Sequence, residues 1–151
     1  MSAADGKPRR EDFGHISRIP VRWGDMDALG HVNNAKFFTY DEQARLDYFG
    51  AVAEEVPDFW KSSGIILARI GCDFLAQLRP PVTLEVGIRI SKLGRSSMET
   101  EGAMFDQAGK LVAVTRGVLV WFDYTQQKSA AIPENVRALI RGRELLAPIE
   151  G

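Results

Sequence analysis

The sequence predicts an α+β domain in which a curved antiparallel sheet encloses one long helix. Three observations carry that expectation. One broad-faced helical stretch, Ala35 to Phe49, stands near the start of the chain. From Ile66 to Phe122 apolar residues recur at every second position. Short turn-like segments separate these runs, as antiparallel strands require.

In chain order, Ile19, Val21 and Trp23 alternate with Arg18, Pro20 and Arg22. That is a half-buried strand, and Pro20, which has no N–H to give, suits an edge position. A polar cluster follows, then the helix. Asn33 or Asn34 supplies a short side-chain oxygen to cap its free N–H groups, and Gly50 is expected to end it. At about 100° per residue, Phe37, Tyr40, Ala44 and Tyr48 form one stripe, which Phe38 and Phe49 widen. Lys36, Thr39, Gln43 and Asp47 hold the narrow opposite side. So broad an apolar face implies a helix wrapped by other structure. Asp41 and Arg45 fall inside that face, acid before base, and can pair there. Glu42 and Arg45 are expected to pair on the helix surface or at an interface.

Next, Ile66, Ala68, Ile70, Cys72, Phe74, Ala76 and Leu78 form one phase of a strand, which "RPP" at residues 79–81 breaks. Val82 to Ile90 alternates again, "KLGRSS" is a turn, and Ser97 to Phe105 forms the next strand. "DQAGK" signals a hairpin. Leu111 to Phe122 is apolar or small in both phases apart from Thr115 and Arg116, as a central strand covered on both faces would be. A last helix starts at Pro133, with proline in its first turn, and runs to about Leu146. Strand, wrapped helix, four antiparallel strands and terminal helix make the hot-dog architecture. It occupies residues 14–151 as a single domain, after a solvated tail spanning residues 1–13.

Bulk properties narrow the function. The chain has 151 residues, 45% of them apolar, and a net charge of −1. This near-neutral balance gives no electrostatic argument for nucleic acid or an anionic membrane surface. No apolar run approaches the roughly 20 residues that span a bilayer. The opening "MSAADGKPRREDFGH" lacks the apolar stretch of a secretory signal. With Cys72 as its one cysteine, the chain has neither an internal disulfide nor a cysteine-based zinc site. A reducing compartment, the cytoplasm, is expected.

The chemistry concentrates in "RWGDMDALGHVNNAKFF", residues 22–38. An acid in a loop that leads into a helix N-terminus places a carboxylate near unpaired N–H groups at the positive end of the helix dipole. Thioester hydrolysis needs that combination. A carboxylate attacks the carbonyl or activates water, and N–H donors meet the charge that develops on the carbonyl oxygen. Asp25 and Asp27 also suit turn hydrogen bonds to nearby backbone. A metal held by Asp25, Asp27 and His31 is set aside, because the only other histidine, His15, lies outside the cluster.

"GDMDALGHVNNAKFF" resembles the active-site segment of the hot-dog acyl-CoA thioesterases, the 4-hydroxybenzoyl-CoA thioesterase group. "GHVNNAKF", and "DEQAR" on the helix, are similar to its long-chain acyl-CoA and acyl-carrier-protein branch. Looser similarity extends over Ile16 to Asp123 and includes "GRSS". The resemblance implies a hydrolase that turns an acyl thioester and water into a free acid and a thiol, with no cofactor or metal. It puts the catalytic carboxylate at Asp27 and the carbonyl-polarising N–H at Asn34. His31 joins them as a catalytic or loop-holding residue. Asn33, Phe37 and Tyr40 are expected to border the substrate, Asn33 also as cap, and Arg95, Ser96 and Ser97 to meet the phosphate-bearing carrier. Coenzyme A or acyl carrier protein would be that carrier. A homodimer or a dimer of dimers, a homotetramer, is implied, with the pocket between subunits. Leu29 departs from the pattern, since the plant acyl-carrier-protein thioesterases have asparagine there.

Two rival readings stand beside this one. A hot-dog hydratase or dehydratase would use an acid and a histidine, but with four residues between them where Asp27 and His31 have three. A non-catalytic acyl-thioester-binding subunit would retain ligand without turnover.

Overall fold

The computed structural model describes residues 6–151. Its strands are β1 (Ile16–Pro20), β2 (Ser63–Phe74), β3 (Thr83–Leu93), β4 (Ser97–Phe105), β5 (Leu111–Asp123) and two-residue pairings β6 (Lys128–Ser129) and β7 (Ile149–Glu150). Helix α1 spans Asn34–Ala53 and α2 spans Glu134–Arg143. The sheet runs β1–β3–β4–β5–β2, with β6 on β5 and β7 on β3. Its long pairings are antiparallel, and β7 lies parallel to β3. The curled sheet wraps one long helix, as the patterning predicts.

The core lies between the inner sheet face and α1. Leu84, Val86, Ile88 and Ile90, alternate residues of β3, have no exposed surface. Each such side chain contributes roughly 1.5–3 kcal/mol by leaving water. Facing them from α1 are Phe37, Tyr40, Ala44, Tyr48, Phe49 and Val52. The opposite face of α1 is open, with Leu46 55% exposed. In a single chain the helix is therefore half wrapped.

Several expectations need correction. The first strand ends at Pro20, before the polar cluster, and Trp23 is 82% exposed. Asp25 turns the chain there by accepting the Arg22 N–H on its side chain (3.0 Å) while its own N–H bonds Arg22 O. Helix α1 runs past Gly50, because Val52 is fully buried and holds another turn on the core. In β2 a bulge between Leu67 and Arg69 reverses the facing. Ile65 and Leu67 turn towards α1, Ile66 turns out, and beyond the bulge Cys72 returns to the core. A single phase from Ile66 to Leu78 misses that slip. Arg45 pairs with Asp41, not Glu42. Helix α2 stops at Arg143, since the extended Glu144 turns back into the core to bond Tyr48 and β3.

The expected tail is also shorter. Residues 10–12 form a 3-10 turn on the outer sheet face, where Arg10 bonds Glu85 at 2.8 Å and Asp12 is buried. Phe13 covers Gly87, whose missing Cβ would lie 2.6 Å from the phenyl ring. The part of the expected tail in residues 1–5 lies outside the described residues.

Candidate active site

The polar cluster folds as two turns braced against α1. The first, Trp23–Asp25, buries its acid: Asp25 is 2% exposed. Asp25 Oδ2 accepts the Tyr40 hydroxyl at 2.7 Å and the Arg22 N–H at 3.0 Å. The Arg22 guanidinium lies 3.7 Å from Oδ1 and the Lys36 ammonium 4.0 Å. Burial alone would raise this carboxyl, but these donors and cations outweigh it and hold Asp25 below its ordinary value.

The second turn carries Asp27, which is exposed. Its N–H donates to His31 O at 2.8 Å, and Oδ1 accepts from the N–H groups of Leu29 (2.9 Å) and His31 (3.3 Å). Gly30, at φ +80°, allows the reversal because it has no Cβ to clash. Among the described residues Oδ2 has no donor, so one carboxylate oxygen is fixed and the other is free. Met26 and Val32 bridge below the turn, and Asn33 N–H bonds Asp25 O at 2.9 Å. The chain then enters α1 directly.

Asn33 caps that helix, its side-chain oxygen accepting the Ala35 N–H at 2.9 Å, a contact worth about 1 kcal/mol. Lys36 N–H bonds Asn33 O. Among the described residues nothing accepts from the Asn34 N–H, the first of the helix. The structure therefore leaves a carboxylate oxygen of Asp27 and the first amide of α1 without partners among the described residues, on neighbouring stretches of the chain. That arrangement can polarise a carbonyl and deliver a base or nucleophile to it.

The other candidates fall in different places. The His31 ring turns to Arg79, with Nε2 and Nη2 2.9 Å apart, while its backbone holds Asp27. Phe37 is 2% exposed, edge-on to Phe74 and Tyr40. The Tyr40 hydroxyl is taken by Asp25. Both rings back the site from within the core. Arg95, Ser96 and Ser97 form the β3–β4 turn, tied by Ile132 N–H to Arg95 O, Trp121 N–H to Ser96 O and Gly94 N–H to Ser97 O. The Asp27 loop sits by the start of β3, through Val32 N–H to Leu78 O and Val21 N–H to Val82 O. Within one chain the length of β3, roughly 33 Å, lies between that loop and this turn.

Sequence reading missed Arg79 and also Thr115, which donates to buried Asp41 at 2.5 Å. The only signal for Thr115 was a polar residue in an otherwise apolar strand, and Arg79 gave none. Cys72 is partly buried, and burial, with Asp41 and Asp73 nearby, pushes its thiol up to about 11, away from thiolate chemistry. A cleft of about 230 Å³ lies between α1 and β2, lined by Arg45, Leu46, Phe49, Trp60, Ile65 and Leu67. Its α1 residues begin at Glu42, about 12 Å along the helix from Asn34. Among the described residues no group of three or more His, Cys, Asp or Glu is placed to hold a metal ion, and no helix is long and apolar enough to cross a membrane.

Comparison with known proteins adds the family. The model of the thioesterase-like superfamily matches residues 21–140. The uncharacterised protein YsmA of Bacillus subtilis is 29% identical over 89 residues, 59% of this chain and 59% of that protein. The chloroplastic acyl-acyl carrier protein thioesterase ATL2 of Arabidopsis thaliana is 25% identical over 126 residues, 82% of this chain and 66% of that one. The matches thus span only about three fifths to two thirds of these curated relatives. Among solved structures, a thioesterase of Thermus thermophilus complexed with coenzyme A and zinc superposes with TM-score 0.77 at 35% identity, covering 89% of this chain and 96% of that one. The PA2801 protein of Pseudomonas aeruginosa gives TM-score 0.76 at 30% identity, covering 85% and 98%.

Proposed function

The chain belongs to the thioesterase-like superfamily, and from that membership we propose that it hydrolyses an acyl thioester, fatty-acyl or aromatic, of coenzyme A, with Asp27 as the reacting carboxylate. The observation that carries this reading is the free Oδ2 of Asp27 on the turn that leads to the unpaired Asn34 N–H. The Asn34 N–H meets the negative charge on the carbonyl oxygen as the carbon becomes tetrahedral. As general base, Asp27 takes a proton from the attacking water. The C–S bond then breaks, and acid and thiol leave. As nucleophile, Asp27 displaces the thiolate to form a mixed anhydride, which water opens.

Coenzyme A in the Thermus relative and an acyl carrier protein in the name of the plant relative support a pantetheine-linked substrate. Arg95, Ser96 and Ser97 lie too far from Asp27 in one chain to hold that carrier, so their proposed role requires a second copy. A homodimer or a dimer of dimers fits the uncovered apolar side chains along α1, edge strand β2 and the segment that joins them: Leu46 is 55% exposed, Trp60 50%, Leu67 39% and Phe74 41%. The single cysteine agrees with a reducing, cytoplasmic setting. The hydratase alternative is weaker, because the His31 ring engages Arg79 and is not paired with Asp27.

The test is thiol release from short, long and aromatic acyl-CoAs, with wild type beside Asp27→Asn. Loss of turnover by about 10²- to 10⁴-fold in a folded variant is expected. Equal rates would remove Asp27 from the chemistry. Retention of acyl-CoA without turnover by the wild type would favour the binding subunit.

A further inference from the structure

We infer that Arg79 is a positioning residue of the Asp27 site: its guanidinium holds the His31 ring with the proton on Nδ1, and His31 in turn braces the turn that aims Asp27. The inference rests on the hydrolase reading for its effect on rate, but its geometry stands apart from it.

Arg79 lies on the segment between β2 and β3, which is stitched to the acid-bearing loop at two points. Val32 N–H donates to Leu78 O at 3.0 Å, and Val21 N–H to Val82 O at 2.9 Å. Leu78, one residue before Arg79, is 4% exposed and packs in the core. The base of the Arg79 side chain is therefore fixed relative to His31, and Nη2 reaches Nε2 at 2.9 Å. Among the described residues no carboxylate pairs with Arg79. A guanidinium has donors only, so Nε2 must accept, and a neutral ring that accepts at Nε2 carries its proton on Nδ1.

The backbone of the same histidine grips Asp27 on both sides. It gives its N–H to Oδ1 at 3.3 Å and receives the Asp27 N–H on its carbonyl at 2.8 Å. One residue thus connects Arg79 to the acid whose other oxygen is free. An isolated surface arginine would more simply bind a carrier phosphate. However, Arg79 stands at the carboxylate end of the site, and the phosphates of coenzyme A are separated from the thioester by the whole pantetheine arm.

The tautomer is read by imidazole ¹⁵N spectroscopy on the whole protein without substrate. Two histidines keep the spectrum simple, and His31→Gln assigns the signals. Wild type is expected to show His31 protonated at Nδ1, and Arg79→Met to move it towards the Nε2–H form that free histidine prefers. Arg79→Met should lower kcat by about 10- to 100-fold, through a misplaced Asp27 turn, with KM for acyl-CoA within about twofold of wild type. Arg79→Lys, which restores a donor, should recover part of kcat. N-acetylcysteamine thioesters, which have no phosphates, should lose rate by the same factor as acyl-CoAs. An unchanged tautomer in Arg79→Met would overturn the proposal. So would a KM rise confined to the coenzyme A substrates, which would make Arg79 a phosphate ligand. A wild type that turns over no acyl thioester would instead sink the hydrolase reading, while the substrate-free tautomer still decides the Arg79–His31 coupling.

Discussion

Tyr40 donates its hydroxyl to Asp25 Oδ2 across 2.7 Å, and through that bond the second turn of α1 holds the loop that presents Asp27. Asp25 and Asp27 are two residues apart, yet one is 2% exposed and the other lies open to solvent. The buried acid is a strut, with its oxygens committed to Arg22, Lys36 and Tyr40. The exposed one keeps an oxygen free. Removing each should therefore fail in a different way.

Tyr40→Phe deletes one hydroxyl and leaves the ring packing against Phe37 intact. A hydrogen bond to a buried carboxylate contributes about 1.5–3 kcal/mol, so the melting temperature should fall by roughly 3–12 °C in a domain of this size. Activity should fall as well, because the loop loses its anchor. Asp27→Asn, by contrast, should abolish turnover and shift the melting temperature by less than about 2 °C, since its contacts are local turn bonds on the surface. Thermal scans beside thiol-release rates separate the two. Equal melting shifts in both variants would refute the division of labour.

Acid should expose Asp25 as a strut. Its folded-state carboxyl is held below the ordinary 3.8, so the folded state binds its proton less tightly than the unfolded chain. The stability this supplies is complete above about pH 3.8 and is lost as pH falls through the lowered folded value. In urea titrations at stepped pH, Asp25→Asn should be less stable than wild type near neutrality. That gap should close as wild type protonates in acid. A constant gap would show that Asp25 acts through its shape and not its charge.

The periodicity of the apolar residues made the sheet and the wrapped helix legible, because burial on one face imposes that periodicity directly. Elements failed where a single residue changes the count. The bulge at Leu67/Arg69 puts Ile65 and Leu67 where a uniform strand would put Ile66. Gly50 reads as a helix stop, yet Val52, the last but one residue of α1, is completely buried. Near the proposed site, the Asn33 cap was legible because its place at the start of the helix sets its geometry. Arg79 was not, because its contact with His31 joins residues 48 positions apart and leaves no local pattern. Tyr40 fitted the apolar stripe, and nothing in that stripe announces that its hydroxyl reaches back to Asp25.

Beneath α1, Thr115 donates to Asp41 Oδ1 at 2.5 Å, and Arg45 pairs with Oδ2. Asp41 has no exposed surface, and burial raises its carboxyl despite these partners. The helix approaches β4 this closely because Gly102 has no side chain. A Cβ there would sit 2.2 Å from Thr115 Oγ1 and 2.9 Å from Asp41 Oδ1. Thr115→Val keeps the shape and removes the donor, at an expected cost of about 1–3 kcal/mol. Gly102→Ala forces α1 and β5 apart and should cost more than Thr115→Val. Chemical denaturation ranks the two, and a neutral Gly102→Ala would contradict the packing described.

Glu144, the residue that ends α2, packs against Tyr48 of α1, and its pH dependence runs in the opposite sense to that of Asp25. Glu144 Oε2 accepts the Tyr48 hydroxyl at 2.5 Å and the Ile90 N–H at 2.9 Å, while Oε1 is buried with no partner among the described residues. It thereby seals the edge of β3 between the starts of β1 and β7. Burial raises its carboxyl above the ordinary 4.5, and the Tyr48 hydroxyl, the Ile90 N–H and the cations of Arg89 and Arg143 offset that only in part. The folded state therefore binds this proton more tightly than the unfolded chain. Its contribution to stability is full below about pH 4.5 and is lost as pH rises through the raised folded value. Glu144→Gln keeps an oxygen for Tyr48 and Ile90 but cannot ionise. Wild type should lose stability relative to this variant as pH climbs from 4.5 towards neutrality, measured by urea midpoints at stepped pH. Curves that stay parallel over that range would mean that Glu144 is ionised as readily in the folded protein as in the unfolded chain, and that Tyr48 and Ile90 fully offset its burial.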